Sequence, residues 1–526
     1  MKRIVFLIIG ALLVLGLVLP GCAGGGGAAP APVVYDFENN QVIIGICADA
    51  GQVTGDFNKY GIILAENEIN GNDGITIGGQ RFDLTHVIID TDEATDGTGA
   101  AGALALLRAL RDDNFDFLMG SFRTEAVDFY RYVAMIAQKI FFDCGAATEA
   151  LQQSVVTNYT RYKYWFKTTP YNEYFLAKSV LKLVNSVAIA ERAALGLAAN
   201  AQLTAVIIAE DLTWAKNEQV LAIAAGLPAL NINLLDTYLV SSTLSAPTVA
   251  ALADIATNYD PHIIIPIYSG INGVVYDGTL ASYVAADYLA PMSVGINVYE
   301  QLKAPWAGVG TNLTSPPPAG PYCANHVILD TWAENLSITS KTLPFFNAFL
   351  GGAEYPMYTA ATYDQAYTLK ACLEAMASWN ATTLTGQVKA DDVIAWFENL
   401  ANAQLTTTGL LTCTYPVLGA FCTNGTPALS LAQKNTLYGT SWTYHANEWG
   451  TPPCTTHDLV YGPTHSTGIG AQWQWDAGAA KWKKLAIWPR VIPGYVTADQ
   501  YGEWGFAYNG TVPTYIPPNV IAHNFS

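Results

Sequence analysis

Two successive series of alternating strand and helix patterns constrain the fold of this 526-residue chain more than any other feature. In the first series, short runs rich in Val, Ile and Phe are separated by segments in which apolar residues have helical spacing. Its predicted strands are QVIIGICA (41–48), RFDLTHVIID (81–90), FDFLMG (115–120), IFFDCG (140–145) and YKYWFKTTP (162–170). Strands separated by helices form right-handed crossovers, so this pattern predicts a parallel sheet covered by helices.

The second series repeats the alternation and predicts a second open α/β sheet of similar size. Its predicted strands are LTAVIIAED (203–211), NINLLDTYLV (231–240), PHIIIPIY (261–268) and MSVGIN (292–297). A chain of 526 residues is too long for one compact core, whereas its length and its 51% of apolar residues suit two lobes. The sequence therefore predicts an α/β protein with two Rossmann-like lobes.

The composition and the pattern of predicted elements change after residue 310. A Pro-rich stretch, TNLTSPPPAGPYC, precedes three predicted helices at 340–352, 359–379 and 389–402. Beyond residue 405 Thr, Gly, Pro and aromatic residues dominate, until AQWQWDAGAAKWKKLAIWP (471–489) alternates as a β-hairpin does. The tail after Gly494 has no periodicity and is predicted to wrap loosely around the body.

The N-terminus has the pattern of a secretory signal. Two basic residues precede an almost unbroken apolar run (4–19), which ends in the box Leu-Pro-Gly-Cys22. This box resembles a lipoprotein processing site, which predicts that Cys22 is acylated and anchors the protein to the cell membrane. An uncleaved membrane anchor is the alternative. Either interpretation puts the body outside the cytoplasm, with residues 22–40 as a flexible linker.

The seven cysteines after Cys22 contain no C-x-x-C pair, which argues against zinc and thioredoxin-type sites. An oxidising exterior allows disulfides. Cys413 and Cys422 flank a short loop and are the best local pair, and Cys323 and Cys454 both lie in Pro-rich loops. Three further cysteines in apolar segments are predicted to pack as small hydrophobic side chains: Cys47, Cys144 and Cys372.

Charge and motif content exclude several functions. The net charge of −18 becomes −20 without Lys2 and Arg3, and no basic run occurs, so nucleic acid is not an expected partner. No G-x-S-x-G, H-E-x-x-H or P-loop motif is present. His457-Asp458 resembles a metal-phosphohydrolase dipeptide, but the seven histidines are scattered, which favours a structural pair in a loop. The sequence therefore predicts neither an enzyme nor a metal or cofactor site.

Polar loops follow three strands of the first predicted sheet, at the edge where open parallel sheets bind ligands. They are DAGQVTGD (49–56), GSFRTEA (120–126) and DCGAATEAL (143–151). Backbone N–H groups and the hydroxyls of Ser121, Thr124 and Thr148 suit a small carboxylate. Ordinary helix capping is the alternative for each loop, but three such loops on one edge favour a site.

The strand exits of the second sheet carry aromatic residues instead. Trp214, Tyr268 and Tyr299 are candidates to close over an apolar or ring-shaped ligand, with ordinary packing as the alternative for each. The two predicted sheets together therefore suggest a ligand cleft with a polar side and an aromatic side.

The order of several stretches along the chain is specific. IGICADAGQVTGDFNKYGIILAENEING combines an opening strand, a Thr-Gly loop and a helix that ends in Asn-Glu-Ile-Asn. FDFLMGSF, IFFDCGAATEAL, YKYWFKTTP, ATYDQAYTLKACLEAM, HDLVYGP and QWQWDAG follow in turn. In this order, over residues 41–379 and 456–489, the chain resembles the type I periplasmic binding proteins, specifically the leucine/isoleucine/valine-type substrate-binding lipoproteins of ABC transporters.

The resemblance implies two Rossmann-like lobes with parallel-type sheets, joined by a three-strand hinge and closing on a small ligand without covalent chemistry. It implies that Ser121 binds the ligand's carboxylate and ammonium, that Ala146 offers a carbonyl, and that Thr148 offers its hydroxyl and N–H. Trp214 and Tyr268 match aromatic positions of the family. The expected ligand-binding set is Thr54, Ser121, Phe122, Arg123, Ala146, Thr148, Trp214, Tyr268 and Asn297.

One position departs from the family pattern. Amino-acid binders commonly place an acidic residue after the strand that MSVGI resembles, whereas this chain has Asn297, with Glu300 three residues on. Amides, urea-like molecules, short carboxylates and aromatic acids therefore remain alternatives to an amino acid. Arg123 favours a second acidic group on the ligand if it points into the cleft, and a solvent-facing arginine is the alternative.

The expected domain division follows the resemblance. It comprises a signal peptide (1–21), a lipid-anchored linker (22–40), lobe 1 (41–168 plus 320–404), lobe 2 (169–319 plus 456–490), an insertion whose cysteines allow disulfides (405–455) and an irregular tail (491–526).

The expected function is an extracytoplasmic substrate-binding protein of an ABC importer, whose partners are a small solute, a membrane permease and, through its lipid anchor, the membrane. A structural or adhesive surface glycoprotein is one alternative, supported by seven Asn-x-Ser/Thr sequons, and a ligand-sensing receptor is another. A cleft blocked by side chains would favour the glycoprotein.

Overall fold

The computed structural model describes residues 33–93, 99–170, 172–303, 313–314, 321–336, 340–379, 388–398 and 468–488. Several features predicted from the sequence lie outside these ranges: the signal, Cys22, the insertion 405–455, the tail 491–526, three cysteines (Cys413, Cys422 and Cys454) and the pair His457-Asp458.

The strands of the described residues are short and rich in β-branched and aromatic residues. In chain order they are β1 (Val34–Tyr35), β2 (Gln41–Ala48), β3 (Ile75–Ile77), β4 (Gln80–Asp90), β5 (Phe117–Gly120), β6 (Phe141–Asp143), β7 (Trp165–Lys167), β8 (Leu203–Glu210), β9 (Ile232–Val240), β10 (Ile263–Tyr268), β11 (Met292–Asn297), β12 (Val327–Asp330), β13 (Val388–Lys389), β14 (Ile469–Asp476) and β15 (Lys481–Trp488).

The helices alternate with these strands through most of the chain. In chain order they are α1 (Val53–Gly71), α2 (Ala100–Asp112), α3 (Thr124–Ile136), α4 (Glu149–Thr157), α5 (Tyr159–Tyr162), α6 (Glu173–Ala194), α7 (Thr213–Lys216), α8 (Gln219–Gly226), α9 (Ser245–Asn258), α10 (Asn272–Ala285), α11 (Thr342–Ala348), α12 (Thr362–Trp379) and α13 (Ala390–Phe397). Single-turn 3₁₀ helices occur at Glu38–Asn40, Leu227–Leu230, Val298–Gln301, Phe349–Gly352 and Tyr358–Ala361.

Lobe 1 is built on a six-stranded sheet with the order β3-β4-β2-β5-β6-β7. All neighbours in it are parallel except β3 and β4, which form an antiparallel hairpin at the edge. The hairpin turn is Gly78-Gly79, and both residues have positive φ, which a two-residue turn of this kind requires. Helix α12 packs against α1 and β3, so the sheet is covered by helices from both ends of the described chain.

Lobe 2 is built on a seven-stranded sheet with the order β15-β14-β12-β11-β10-β8-β9. Strands β9, β8, β10, β11 and β12 are mutually parallel, and the hairpin β14–β15 adds two antiparallel strands beside β12. A buried core lies between this sheet and helices α9 and α10. The predicted hairpin at 471–489 is confirmed by these two strands.

The boundary between the lobes differs from the one predicted at residue 320. Residues 327–330 form β12, which pairs with β11 and therefore belongs to lobe 2. The chain returns to lobe 1 only at the following helices, since Phe345 of α11 packs against Tyr363 of α12. The order of elements requires three passages between the sheets, after β7, after β12 and after α13, and the third runs through residues outside the described ranges.

The predicted linker 22–40 ends earlier than expected. Val34 and Tyr35 form β1, which pairs with β13, and Tyr35 packs against Phe117 with ring centroids 4.5 Å apart. Phe37 is also buried. Since Tyr35 and Phe37 bury their rings, residues 34–40 belong to the folded body.

The cysteines of the described residues are buried free thiols: Cys47, Cys144, Cys323 and Cys372. This agrees with the expectation for three of them and leaves Cys323 unpaired. None of the helices in the described ranges combines the length and the hydropathy that crossing a bilayer requires.

Candidate functional site

The loop after β5 turns sharply at Ser121. Gly120 and Ser121 have φ values of 95° and 117°, a region that favours glycine, so the backbone is strained at the serine. Hydrogen bonds hold it there. The Ser121 N–H donates to Cys47 O at 2.9 Å, and Asn58 Nδ2 donates to Ser121 O at 2.9 Å. The turn directs the next two residues, Phe122 and Arg123, to a cavity between the lobes.

The hydroxyl of Ser121 is used inside lobe 1. It donates to Asp143 Oδ1, which also accepts the N–H groups of Gly145 at 3.0 Å and Ala146 at 3.1 Å. Burial raises the pKa of Asp143, and these hydrogen bonds oppose the shift. The predicted ligand residues Ser121 and Ala146 are thus buried partners of Asp143, while Gly145 and Ala147 line the cavity.

Thr148 also acts through a neighbour. Its hydroxyl donates to Thr124 Oγ1 at 2.9 Å, and Thr124, the first residue of α3, lines the cavity. Thr148 itself is buried. The predicted loops after β5 and β6 therefore lie together, and their hydrogen bonds fix neighbouring residues against the cavity.

Arg123 is held by its backbone. Its N–H donates to Glu93 Oε2 at 2.6 Å, and Glu93 Oε1 accepts from Thr91 Oγ1 at 2.8 Å and Tyr130 Oη at 3.0 Å. Burial raises the pKa of Glu93 to about 7, although these hydrogen bonds favour its ionised form. Since the backbone is fixed at the start of α3, the guanidinium group can extend into the cavity.

Glu210, at the end of β8, organises the facing edge of lobe 2. Its carboxylate accepts from Ser269 N at 2.9 Å, Ser269 Oγ at 2.7 Å and Gly270 N at 2.8 Å. Burial raises the pKa of Glu210, and the Ser269 hydrogen bonds and the charge of Arg123 oppose this. A Cβ on Gly270 would lie 3.4 Å from Arg123 Nη2, so the guanidinium of lobe 1 reaches the backbone of lobe 2.

A second contact joins the lobes beside Arg123. The N–H of Thr213, at the start of α7, donates to Glu125 Oε1 of α3 at 2.8 Å. Glu125 and Thr213 thus form a direct hydrogen bond across the cleft, next to the cavity-lining residues Arg123 and Trp214.

The cavity lies where the carboxyl ends of the two sheets face each other, and encloses about 570 Å³ with its solvent-open mouth included. Its apolar and aromatic walls include Phe122, Leu176, Trp214, Ile296, Leu329 and Tyr358. Its polar groups belong to Arg123, Thr124, Ser269, Gln301, Asp330 and Thr331. This composition, apolar with a few convergent polar groups, is typical of small-molecule sites.

Two hydrogen-bond donors of this cavity are unused. Arg123 Nε and Trp214 Nε1 are buried, and neither has a hydrogen-bond acceptor among the described residues. They come from opposite lobes. Buried donors normally have partners, so a ligand acceptor between the lobes would complete both groups.

Among the described cavity-lining residues, Asp330 carries the one carboxylate, and a lysine neutralises its charge. Lys484 Nζ of β15 lies 2.6 Å from Asp330 Oδ2, and both side chains are fully buried. Burial raises the pKa of Asp330, and Lys484 opposes this. Lys484 also donates to the carbonyl of Gln301 at 2.6 Å, so the last described hairpin supports the cavity wall.

Three predicted residues face away from the cavity. Tyr268 lies in the core of lobe 2, with its ring centroid 5.5 Å from that of Tyr276. The Thr54 carbonyl accepts from Thr359 Oγ1 at 3.0 Å inside lobe 1. Asn297 is fully buried and donates to Glu300 and Asp277, whereas its neighbours Ile296 and Val298 line the cavity.

Several cavity residues were not identified from the sequence. Gln301 follows β11, Leu329 to Thr331 lie at the end of β12, and Tyr358 begins the 3₁₀ helix that precedes α12. The stretch HVILD was the available signal for β12, but a four-residue strand beside a Pro-rich segment is weak evidence.

Among the described residues, one group has the composition of a metal site: Asp277, Glu300 and His326, whose ligand atoms lie within 4.8 Å of one another. It lies behind the cavity wall, around Asn297.

No protein-family model and no curated protein sequence matches the chain. Solved structures do match. A putative branched-chain amino acid ABC transporter from Silicibacter pomeroyi is 16% identical with a TM-score of 0.55, covering 86% of this chain and 98% of its own. The chain has the type I periplasmic-binding-protein fold.

Two further structures have the same fold and contain ligands. LivJ from Streptococcus pneumoniae, in complex with isoleucine, is 14% identical over 68% of this chain and 88% of its own, with a TM-score of 0.50. A solute-binding protein of an ABC transporter from Rhodopseudomonas palustris, in complex with 3,4-dihydroxybenzoic acid, is 14% identical over 68% of this chain and 85% of its own, also with a TM-score of 0.50. These similarities establish the shared architecture.

Proposed function

We propose that the chain is the extracytoplasmic substrate-binding protein of an ABC importer, which captures a small carboxylic acid by closing its two lobes. The observation that carries the proposal is the pair of unused donors, Arg123 Nε and Trp214 Nε1, which belong to two residues that line one cavity from opposite lobes. A ligand that accepts from both binds the closed arrangement better than the open one and shifts the population toward it.

A carboxylate is the acceptor that fits the cavity. Arg123 supplies a permanent positive charge, and charge-assisted hydrogen bonds from a guanidinium to a carboxylate are strong. The walls of Leu176, Ile296 and Leu329 suit an apolar body on the ligand. The isoleucine and 3,4-dihydroxybenzoic acid bound by the two structural neighbours both combine a carboxylate with such a body.

An acid without an ammonium group fits better than an amino acid. The position expected to hold an ammonium group is Asn297, which is turned toward Asp277 and Glu300 and away from the cavity. Asp330, the carboxylate of the described lining, is neutralised by Lys484. An ammonium group in the cavity would therefore lose its hydration without gaining a free carboxylate partner.

The remaining parts of the proposal follow from the N-terminus. A lipid on Cys22 would tether the body to the membrane and raise its effective concentration near a permease. The permease would recognise the closed shape.

A thermal-shift and calorimetric screen of the detergent-solubilised full chain tests the proposal. Two matched pairs isolate the charges: benzoate against benzamide, and 4-methylpentanoate against leucine. We expect the acids to raise the melting temperature, since a ligand at a hundred times its Kd stabilises by about 2.7 kcal/mol. Equal binding of benzamide would contradict the carboxylate assignment, and tighter binding of leucine would contradict the exclusion of ammonium.

Variants of the two donors provide the second half of the test. Arg123→Gln should weaken binding of the acid by roughly 10–100-fold and Trp214→Phe by roughly 2–10-fold, the usual ranges for charged and neutral hydrogen bonds. Arg111→Gln, an exposed arginine on α2, is the control and should bind as the parent does. No shift with any compound would sink the transport proposal and favour a structural or adhesive surface glycoprotein.

A further inference from the structure

Behind the cavity wall of lobe 2, three elements bring together four polar side chains that the proposed ligand site does not use. Asp277 comes from α10, Asn297 and Glu300 from the end of β11 and the following 3₁₀ turn, and His326 from the residue before β12. We call these four residues the buried acid cluster. Asp277, Asn297 and Glu300 have no solvent exposure, and the side chain of His326 is 12% exposed.

The cluster is short of positive charge. Asp277 and Glu300 are both carboxylic acids, and one oxygen of each lies within 4.8 Å of the other. Within the described residues, their one ion-pairing neighbour is His326, whose Nδ1 lies 3.3 Å from Glu300 Oε1 and 3.7 Å from Asp277 Oδ1. Two ionised carboxylates in a dry interior need a cation, because unpaired buried charge is costly.

The hydrogen bonds of the cluster are also incomplete. Asn297 Nδ2 has two hydrogens but lies 3.2 Å from each of four acceptors: Gly273 O, both Asp277 oxygens and Glu300 Oε1. Glu300 Oε2 is fully buried and has no hydrogen-bond donor among the described residues. A buried carboxylate oxygen without a donor needs a partner, and an ion held by the same carboxyl group whose Oε1 lies near His326 would supply one.

The spacing of the three candidate ligand atoms suits a metal ion. A metal bound at 2.0–2.1 Å holds neighbouring ligand atoms roughly 2.8–3.4 Å apart in octahedral or tetrahedral geometry. The distances from His326 Nδ1 to the two carboxylates, 3.3 Å and 3.7 Å, lie close to this range, and all three ligand atoms are within 4.8 Å of one another. A small movement of one side chain completes the geometry.

We propose that Asp277, Glu300 and His326 bind one divalent transition-metal cation of the Mn²⁺ or Zn²⁺ type. Two carboxylates and a neutral imidazole carry a charge of −2, which a divalent cation neutralises. The imidazole favours Mn²⁺ or Zn²⁺ over Ca²⁺ and Mg²⁺, which prefer oxygen ligands alone. Rotation of the Asn297 amide by half a turn would bring its oxygen to the ion as a further ligand, in exchange for the hydrogen bond that this oxygen accepts from Tyr299 N at 3.3 Å.

The site has a structural role in this proposal. Asn297 lies between Ile296 and Val298, which line the cavity, and Glu300 precedes the cavity residue Gln301. A metal at the cluster would join α10, the 3₁₀ turn and β12 behind the wall. The proposal is independent of which solute the cavity binds.

The test begins with the tag-free full chain in detergent, stripped with EDTA and dialysed. We expect isothermal titration with Mn²⁺ and with Zn²⁺ to show one site per chain, Mn²⁺ to give a bound-ion EPR signal, and either ion to raise the melting temperature. Asp277→Asn and Glu300→Gln, which preserve shape, should each weaken binding by more than the roughly 10–100-fold that loss of an outer-shell partner costs.

His86→Gln is the matched control, because His86 Nδ1 also contacts a carboxylate, that of Glu66, but without a second acid. It should bind the metals as the parent does. The measurement on the parent protein remains informative even if a variant fails to fold. If the parent binds neither ion, or if Asp277→Asn and Glu300→Gln bind them unchanged, the proposal is overturned, and a proton shared by the two acids explains the cluster.

Discussion

Arg123 connects the lobes through two different parts of the same residue. Its backbone N–H is fixed by Glu93 in lobe 1, while its guanidinium lies beside Gly270 and Glu210 in lobe 2. The sequence placed Arg123 in a ligand loop but left a solvent-facing side chain as the alternative. The structure places it in the cavity, because the strained turn at Ser121 directs the chain inward.

Glu93 makes the stability of the protein depend on pH. Burial raises its pKa to about 7 from the ordinary 4.5 of a glutamate, so the folded state holds this proton more tightly than the unfolded state does. The unfolded chain therefore binds fewer protons between about pH 4.5 and pH 7, and the contribution of Glu93 to stability falls as the pH rises through this window.

Replacement of Glu93 by Gln should remove this dependence. The amide oxygen can still accept from Arg123 N, and the hydroxyls of Thr91 and Tyr130 can reorient toward the amide nitrogen. Between pH 4.5 and pH 7 the parent should lose up to about 3 kcal/mol more unfolding free energy than the variant. Urea titrations at a series of pH values measure the difference, and parallel curves would contradict the assignment.

The predicted residues that miss the cavity show a limit of sequence analysis at this scale. Consecutive residues of a strand face opposite sides, so an error of one position reverses the side. Asn297 occupies the position that the family resemblance indicated, yet Ile296 and Val298 face the ligand space. Tyr268 likewise ends a strand whose next residue, Ser269, lines the cavity.

At the scale of elements, the sequence predicted best where apolar patterns were long. Strand β11 was predicted with its observed bounds, and the hairpin β14–β15 was found from its alternation. Strands β3 and β12 were missed. The Gly-Gly turn within ITIGG was a usable signal for β3. Strand β12, in contrast, depends on pairing with β14, in which Asp330 lies opposite Ile469, a residue much later in the chain. Local patterns do not report such distant pairing, which is why the lobe boundary was placed too early.

The close approach of α1 to the Tyr358–Ala361 turn depends on one glycine. A Cβ on Gly61 would lie 2.3 Å from Thr362 Oγ1 and 2.4 Å from the Ala360 carbonyl oxygen. Gly61→Ala should therefore destabilise the protein by about 1–3 kcal/mol, the usual cost of overpacking. Thermal or urea unfolding measures the effect.

Gly71→Ala is the control in the same helix. No atom lies within 4 Å of the added methyl group, so this variant should be neutral or gain up to about 1 kcal/mol from better helix propensity. Equal stability of the two variants would show that α1 does not need this contact distance.

At the scale of the whole molecule, the described geometry is one in which the lobes touch. The Glu125–Thr213 hydrogen bond and the contact of Arg123 with Gly270 both cross the cleft. Contacts made only when the lobes meet stabilise that arrangement relative to an open one, and they therefore add to the apparent affinity of any ligand held between the lobes.

Glu125→Ala should weaken binding of the acid that the ligand screen identifies. Loss of one hydrogen bond worth about 1 kcal/mol lowers the affinity roughly fivefold. Glu125→Gln is the matched variant, since its amide oxygen can still accept from Thr213, and it should bind nearly as the parent does. Calorimetry compares the three proteins. An unchanged affinity for Glu125→Ala would mean that this contact does not distinguish open from closed lobes.

The overall architecture was predictable because the chain contains two separate series of alternating strands and helices. Right-handed crossovers leave few possible topologies for each series. That the two sheets face each other across a cavity was expected only from the resemblance to the type I periplasmic binding proteins. It depends on side chains such as Arg123 and Glu125, whose partners in lobe 2 no local pattern identifies.

The buried pair of Asp330 and Lys484 has a consequence for how the protein is made. A ribosome delivers β12 long before β15, and until Lys484 emerges the Asp330 carboxylate lacks its ammonium and the Gln301 carbonyl lacks its donor. The nascent chain therefore carries an unfinished pocket from the emergence of β12 until that of β15. Proteolytic loss of the β14–β15 hairpin should therefore leave Asp330 without its ammonium partner and weaken the proposed binding of a solute.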